Sequence, residues 1–111
     1  MDKLTRYRQL VRQVLEPYMQ IKPVPGEFEV CRCFDTQDDR YQIFHAGWDG
    51  SQRIFGAVIH IDIIGEKFWI QYDGTEVGVA LELMDLGVPK QDIVLAYHSP
   101  FLRQYDGFAV G

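Results

Sequence analysis

At 111 residues, with 47% hydrophobic and 14% aromatic content, the chain is sized for one domain, residues 1–111, with enough apolar area to offset chain entropy. Lys and Arg number 11 against 16 Asp and Glu, a net charge of −5. That argues against a free-standing duplex-DNA binder, which presents a basic face to displace counterions, and predicts weak or absent direct DNA binding.

The first residues are charged and no apolar run is long enough for a signal peptide or membrane helix, so the reading is cytoplasmic, with no membrane contact. Leu4, Tyr7, Val11, Val14, Leu15 and Tyr18 recur at spacings of three and four. This predicts an amphipathic helix, capped by Asp2 and ended or kinked by Pro17. Its Lys3, Arg6, Arg8 and Arg12 could form a local basic patch, but scattered surface cations more often mark a solvated helix face. Residues 22–26, Lys-Pro-Val-Pro-Gly, read as a rigid connector.

Phe28–Phe34 is the first predicted strand. Cys31 and Cys33 sit two apart on it, point the same way and cannot easily bridge. Free thiols fit a reducing compartment, and this spacing does not suit a zinc site. After the polar turn Asp35–Arg40, Tyr41–Trp48 and Arg53–Ile63 form the second and third strands, joined at Asp49-Gly50. Gly65-Glu66 then turns the chain into Lys67–Tyr72. With those two as turn residues, Ile63 faces Phe68, Ile61 faces Ile70 and Ile59 faces Tyr72. The other side places Asp62 beside Trp69 and His60 beside Gln71.

Asp73-Gly-Thr-Glu76 reads as a capping box that opens a crossover helix. Val77, Ala80, Leu81 and Met84 form one apolar stripe; Val79, Leu83 and Leu86 form a second. The helix should therefore be largely buried, approach the sheet closely at Gly78, and stop at Gly87 before Pro89. Ile93–Tyr97 is a closing strand, parallel to Lys67–Tyr72 by the right-handed crossover rule. The expected fold is α+β: an N-terminal helix, an antiparallel meander of about four strands, a crossover helix and a closing strand.

No catalytic, cofactor-binding or metal residue is assigned, because no nucleophile–base pair or phosphate loop stands out. Ser99 has no evident base, and Gly74 and Gly78 lack the Walker spacing. The sharpest alternative is a metal held by His60, Asp62 and His98. The plainer expectation is that His60 hydrogen-bonds Gln71 while Asp62 stays solvated, with His45 a structural histidine on the same face as His60. Trp69 is expected to share a face with Val58, Tyr41, Ile43 and Ile54, leaving both sheet faces apolar. Either each helix covers one face, or part of the aromatic face is an interface. The candidate contact residues are Trp48, His60, Trp69, Gln71 and Arg103.

An ordered series of segments carries a resemblance: Gly47-Trp48, His60-Ile-Asp62-Ile63, Lys67-Phe-Trp69-Ile70-Gln71, Asp73-Gly-Thr75-Glu76, Gly87-Val-Pro89-Lys90, Asp92-Ile-Val-Leu95, and Arg103 with Gly107-Phe-Ala-Val. In this order and spacing the chain resembles the XisI family of cyanobacterial excision controlling factors. The segment Ile64-Gly65-Glu66-Lys67 departs from the family's expected Asp-Gly-Lys-type turn. The resemblance implies a non-enzymatic accessory protein in the excision of a DNA element during heterocyst development. It implies a XisH-like protein as partner, a separate site-specific recombinase for the strand chemistry, and no catalytic residues to carry over. A homodimer is expected. The alternatives are a small metal-dependent hydrolase or nuclease subunit, or an antitoxin-like neutraliser of a XisH-type nuclease.

Overall fold

Helix α1 spans Lys3–Leu15, and Asp2 caps it as the sequence predicts: Oδ1 accepts the Thr5 N–H at 2.7 Å. That bond satisfies one of the amide donors a helix start leaves unpaired. Pro17 has no N–H to continue the ladder, and the chain tightens into a 3-10 segment over Glu16–Gln20. The computed structural model describes residues 2–21 and 26–111, so the expected connector, apart from Gly26, lies outside the described residues.

Strands β1 (Glu27–Asp35), β2 (Arg40–Asp49), β3 (Gln52–Ile64) and β4 (Lys67–Asp73) form an antiparallel meander. β5 (Ile93–Leu95) adds parallel to β4, giving a five-stranded sheet in chain order. The α+β layout is as expected. The β2–β3 hairpin turns on Gly50 and Ser51, one residue later than Asp49-Gly50, because Asp49 still pairs with Gln52. Gly65 and Glu66 both take left-handed φ, 57° and 59°, the turn whose twist matches its strands. Ile63 therefore faces Phe68, Ile61 faces Ile70, and Asp62 lies beside Trp69.

Beyond that point the register departs from simple alternation. Gln71 is the extra residue of a β-bulge, so His60 pairs with Tyr72, and Ile59 with Asp73 rather than Tyr72. A second bulge at Val58 shifts β3 against β2. Bulges add twist and re-aim side chains.

The crossover helix α2 is short, Val79–Asp85. Asp73 caps it from six residues back, not through a box with Glu76. Its Oδ1 accepts the Thr75 N–H at 2.9 Å and hydroxyl at 2.6 Å, and its Oδ2 accepts the Val79 N–H at 2.9 Å. In α2 only Val79 and Leu83 are buried, while Leu81 and the preceding Val77 are exposed, so the expected two-flank burial is not found. Nor does Gly78 mark a close approach: an added Cβ would meet only the Asp73 carboxylate, at 3.8 Å. Gly87, at φ 97°, does end the helix. Its N–H reaches the Met84 carbonyl and the Val88 N–H the Leu83 carbonyl, a closure that needs left-handed backbone. β5 stops at Leu95, two residues short of expectation. An unanticipated turn of helix, α3 (Pro100–Arg103), follows, capped by the Ser99 hydroxyl.

Both α1 and α2 pack on one side of the sheet. Their Tyr7, Val11, Leu15, Val79 and Leu83 join Tyr41, Ile43, Ile59, Ile61, Phe68 and Ile70 in one core. Of the two layouts the sequence leaves open, the one with a helix on each face is therefore excluded. Tyr7 stacks on Phe68 with ring centroids 4.5 Å apart. Asp39 ties the same helix to the sheet: its carboxylate accepts both Arg8 Nε (2.8 Å) and Nη2 (3.0 Å) and the Tyr41 hydroxyl (2.9 Å), while its carbonyl accepts the Ile63 N–H. Among the described residues, no helix is long and apolar enough to cross a membrane.

Where β1 crosses Gly47 the strands are pressed together, and a Cβ there would overlap the Phe28 backbone and the Glu27 carbonyl. Gly47→Ala is therefore expected to destabilise the fold by about 2 kcal/mol or more, as overpacking against backbone does. Urea unfolding checks this; a change under about 0.5 kcal/mol would mean the β1–β2 spacing is looser than described.

Candidate interaction surface

Strand alternation separates two sets of side chains. Tyr41, Ile43, Ile61 and Ile70 point to the helices. The opposite side carries, row by row, Glu27–Trp48–Arg53, Glu29–Ala46–Phe55, Cys31–Phe44–Ala57, Cys33–Gln42–His60–Tyr72, and Asp35–Arg40–Asp62–Trp69. Contrary to expectation, Trp69 therefore shares no face with Tyr41, Ile43, Ile54 or Val58, which lie on the helix side. The two sulfhydryls do share a face and are free.

With both helices on the far side, this surface keeps large apolar groups in water: Trp48 is 51%, Phe55 68% and Tyr72 49% exposed. Arg53 Cζ lies 5.2 Å from the Trp48 ring centroid and 5.4 Å from that of Phe55, a cation–π arrangement that joins both rings to one guanidinium. Its Nη1 donates to the Gly47 carbonyl at 3.2 Å.

The other end centres on Asp62, which is buried and not solvated as expected. His60 Nε2 lies 2.9 Å from Oδ1, Gln71 Nε2 donates to Oδ2 at 3.3 Å, and Arg40 approaches at 3.8 Å. His60 thus bonds Asp62 and not Gln71, because the bulge moves Gln71 out of register. A buried carboxylate needs such partners. Trp69, beside it, is capped by the C-terminal segment: Arg103 Cζ sits 5.4 Å from its ring centroid, and Lys67 Nζ donates to the Gly111 carbonyl at 2.7 Å. Arg103 also donates to the His98 and Ala96 carbonyls, fixing α3 beside β5. The exposed Phe101 and Tyr105, with ring centroids 5.6 Å apart, extend the apolar area here.

Of the five candidate contact residues, Trp69, Arg103, His60 and Gln71 gather at this end. Trp48 stands apart, eight residues along β2 from the Arg40 row, about 27 Å at strand rise. Sequence reasoning missed Arg53, Phe55 and Tyr72, although period-two alternation from Trp48 across the Gly50 turn could have found the first two.

The metal triad does not form. His98 Nδ1 lies 3.1 Å from Asp106 Oδ2, and among the described residues no three His, Cys, Asp or Glu are placed to hold a metal ion. His45 is on the helix side against Phe28, 4.7 Å between ring centroids, and not on the face of His60; burial lowers its pKa. It lines a groove of about 500 Å³ with Tyr18, Val58 and Thr75. The Tyr18 hydroxyl donates to Glu82 at 2.7 Å, and burial pushes its pKa up to about 12, so it offers no ready acid or base.

A family model described as XisI protein matches residues 1–110. Two crystal structures from Anabaena variabilis ATCC 29413 share the fold. A XisI-like protein is 38% identical, with 97% of this chain and 99% of that chain covered and a TM-score of 0.91. The fdxN element excision controlling factor XisI is 31% identical, with 99% and 100% covered and a TM-score of 0.87. No curated protein matches the chain.

Proposed function

The chain belongs to the XisI family, and from that premise we propose that it is a non-enzymatic controlling factor for excision of a DNA element during cyanobacterial heterocyst development. In this reading it works in the cytoplasm by binding a XisH-like protein, and a separate recombinase complex cuts and rejoins the DNA. The carrying observation is a sheet with helices α1 and α2 on one side and, beside the Trp69 end of the other, Tyr72 of β4 with Phe101 and Tyr105 at α3 in water. Aromatic groups of this kind are favoured anchors of protein interfaces, because burying them gains about 25 cal/mol per Å².

The partner surface in this proposal is the Trp69 end, with Gln71, His60, Arg103 and the exposed rings of α3. Mixing the purified chain with a purified XisH-like protein should give a species heavier than either alone by light scattering. Two unchanged masses at micromolar concentration would count against it. Strains lacking the chain should lose excision and regain it on complementation.

Because the chain carries a net charge of −5, the isolated protein should bind DNA weakly, with affinity falling steeply between about 50 and 200 mM salt. Nanomolar, sequence-selective binding at physiological salt would overturn the indirect mechanism.

A further inference from the structure

We infer that the Trp48 end of the open sheet face is covered by a second copy of this chain, packed face to face about a two-fold axis along β2. The sheet edges are poor sites for a second copy. β1 carries Glu27, Glu29, Arg32 and Asp35, and charge along an edge opposes strand addition. Beside β5, the Ala109 N–H already donates to the Ile93 carbonyl at 2.9 Å. The face remains.

Its charges are self-complementary. Glu27, Trp48 and Arg53 form one row across β1, β2 and β3; Glu29, Ala46 and Phe55 form the next. Trp48 separates Glu27 from Arg53, and strands two apart are about 9.6 Å from each other, so the opposite charges do not meet within a copy. No ion pair engages Arg53, Glu27 or Glu29 among the described residues. A two-fold along β2 exchanges the β1 and β3 positions, setting Glu27 of each copy over Arg53 of the other and Glu29 one row away over Phe55, with the two Trp48 rings adjacent. An unrelated partner would have to supply both signs in that order; a second copy does so by symmetry.

The Trp48, Ala46 and Phe44 rows of the three strands span about 14 by 17 Å, roughly 250 Å² from each copy, the size of a weak contact that dissociates in the micromolar range. With the two-fold along β2, the two β2 strands run parallel, within the range of aligned sandwiches. α3 and the Trp69 end lie outside this contact, so the dimer stands independently of binding to a XisH-like protein.

Sedimentation equilibrium tests the assignment with three proteins: wild type, Arg53→Glu, and the triple variant Glu27→Lys, Glu29→Lys, Arg53→Glu. Wild type should reach twice the 12.9 kDa chain mass, with a micromolar dissociation constant. Arg53→Glu should raise that constant about tenfold or more, by placing like charges together. The triple reversal should restore it. All three residues are exposed, and both variants lose the same Arg53 contacts with Trp48, Phe55 and Gly47, so the single and triple variants should unfold alike as monomers and differ only in dimerisation. A wild type that stays monomeric at about 100 µM overturns the inference. So does a dimer indifferent to Arg53→Glu, or a triple variant no tighter than the single one. A monomer that still binds a XisH-like protein overturns the dimer alone.

Discussion

Phe68→Ala is expected to lower the unfolding free energy by about 3–5 kcal/mol, the range for removing a fully buried aromatic side chain. Phe68 is 0% exposed, pairs with Ile63 on β3 and Ile93 on β5, and stacks on Tyr7 of α1. Truncation leaves a cavity where three elements meet, and α1 loses its ring contact with the sheet. Against a total stability of about 5–15 kcal/mol for a domain this size, the variant should be close to unfolding at 37 °C. Urea unfolding of Phe68→Ala and Phe68→Leu measures the effect, with the leucine variant costing about 1–2 kcal/mol because most of the volume is kept. A cost below about 1 kcal/mol for the alanine variant would mean that α1 does not rest on β4.

Asp39→Ala is expected to cost about 2–3 kcal/mol at pH 7, since it strands the buried Tyr41 hydroxyl and removes charge-assisted bonds. Alanine also tolerates the left-handed backbone at φ 54° less well than aspartate. The loss is pH-dependent. The hydrogen bond from Arg8, followed by that from Tyr41, holds the Asp39 carboxyl below its ordinary 3.8 despite the opposing effect of burial. A carboxyl with a depressed folded-state pKa contributes stability above its unfolded value and loses it as pH falls through the folded one. The gap between wild type and Asp39→Ala should therefore be full at pH 7 and narrow from about pH 4 downward. Burial of Tyr41 and its bond to Asp39 push that phenol up to about 12, so the alkaline side is flat through neutral pH. A gap that stays constant from pH 7 to about 2 would show that the carboxylate charge contributes nothing.

The sequence made the β3–β4 hairpin readable almost to the residue. Gly65-Glu66 has one comfortable turn, and Ile63 against Phe68 and Ile61 against Ile70 leave no other register. The bulge at Gln71 was not readable, because an unpaired backbone residue leaves no mark in side-chain alternation; its result, Asp62 bonded to both His60 and Gln71, was therefore missed. Asp73 was legible as a cap, but the loop through Gly78 delays the helix by several residues. That delay shortens α2 and puts Val77 and Leu81 in water. The side on which α1 packs follows from tertiary contacts such as Tyr7 on Phe68, which no local pattern encodes. The open face with Phe55 and Arg53 depends on that choice, so the candidate surface was only half visible beforehand.

The account stands or falls on whether another polypeptide covers the sheet face opposite the helices. Acrylamide quenching of Trp48 fluorescence in a Trp69→Phe background reads this directly, since Trp48 is half exposed in a single copy. Between about 0.1 and 100 µM protein, the quenching constant should fall about twofold or more as the ring is buried. A constant that does not change over that range, with or without a XisH-like protein present, would show the face wet and the account wrong.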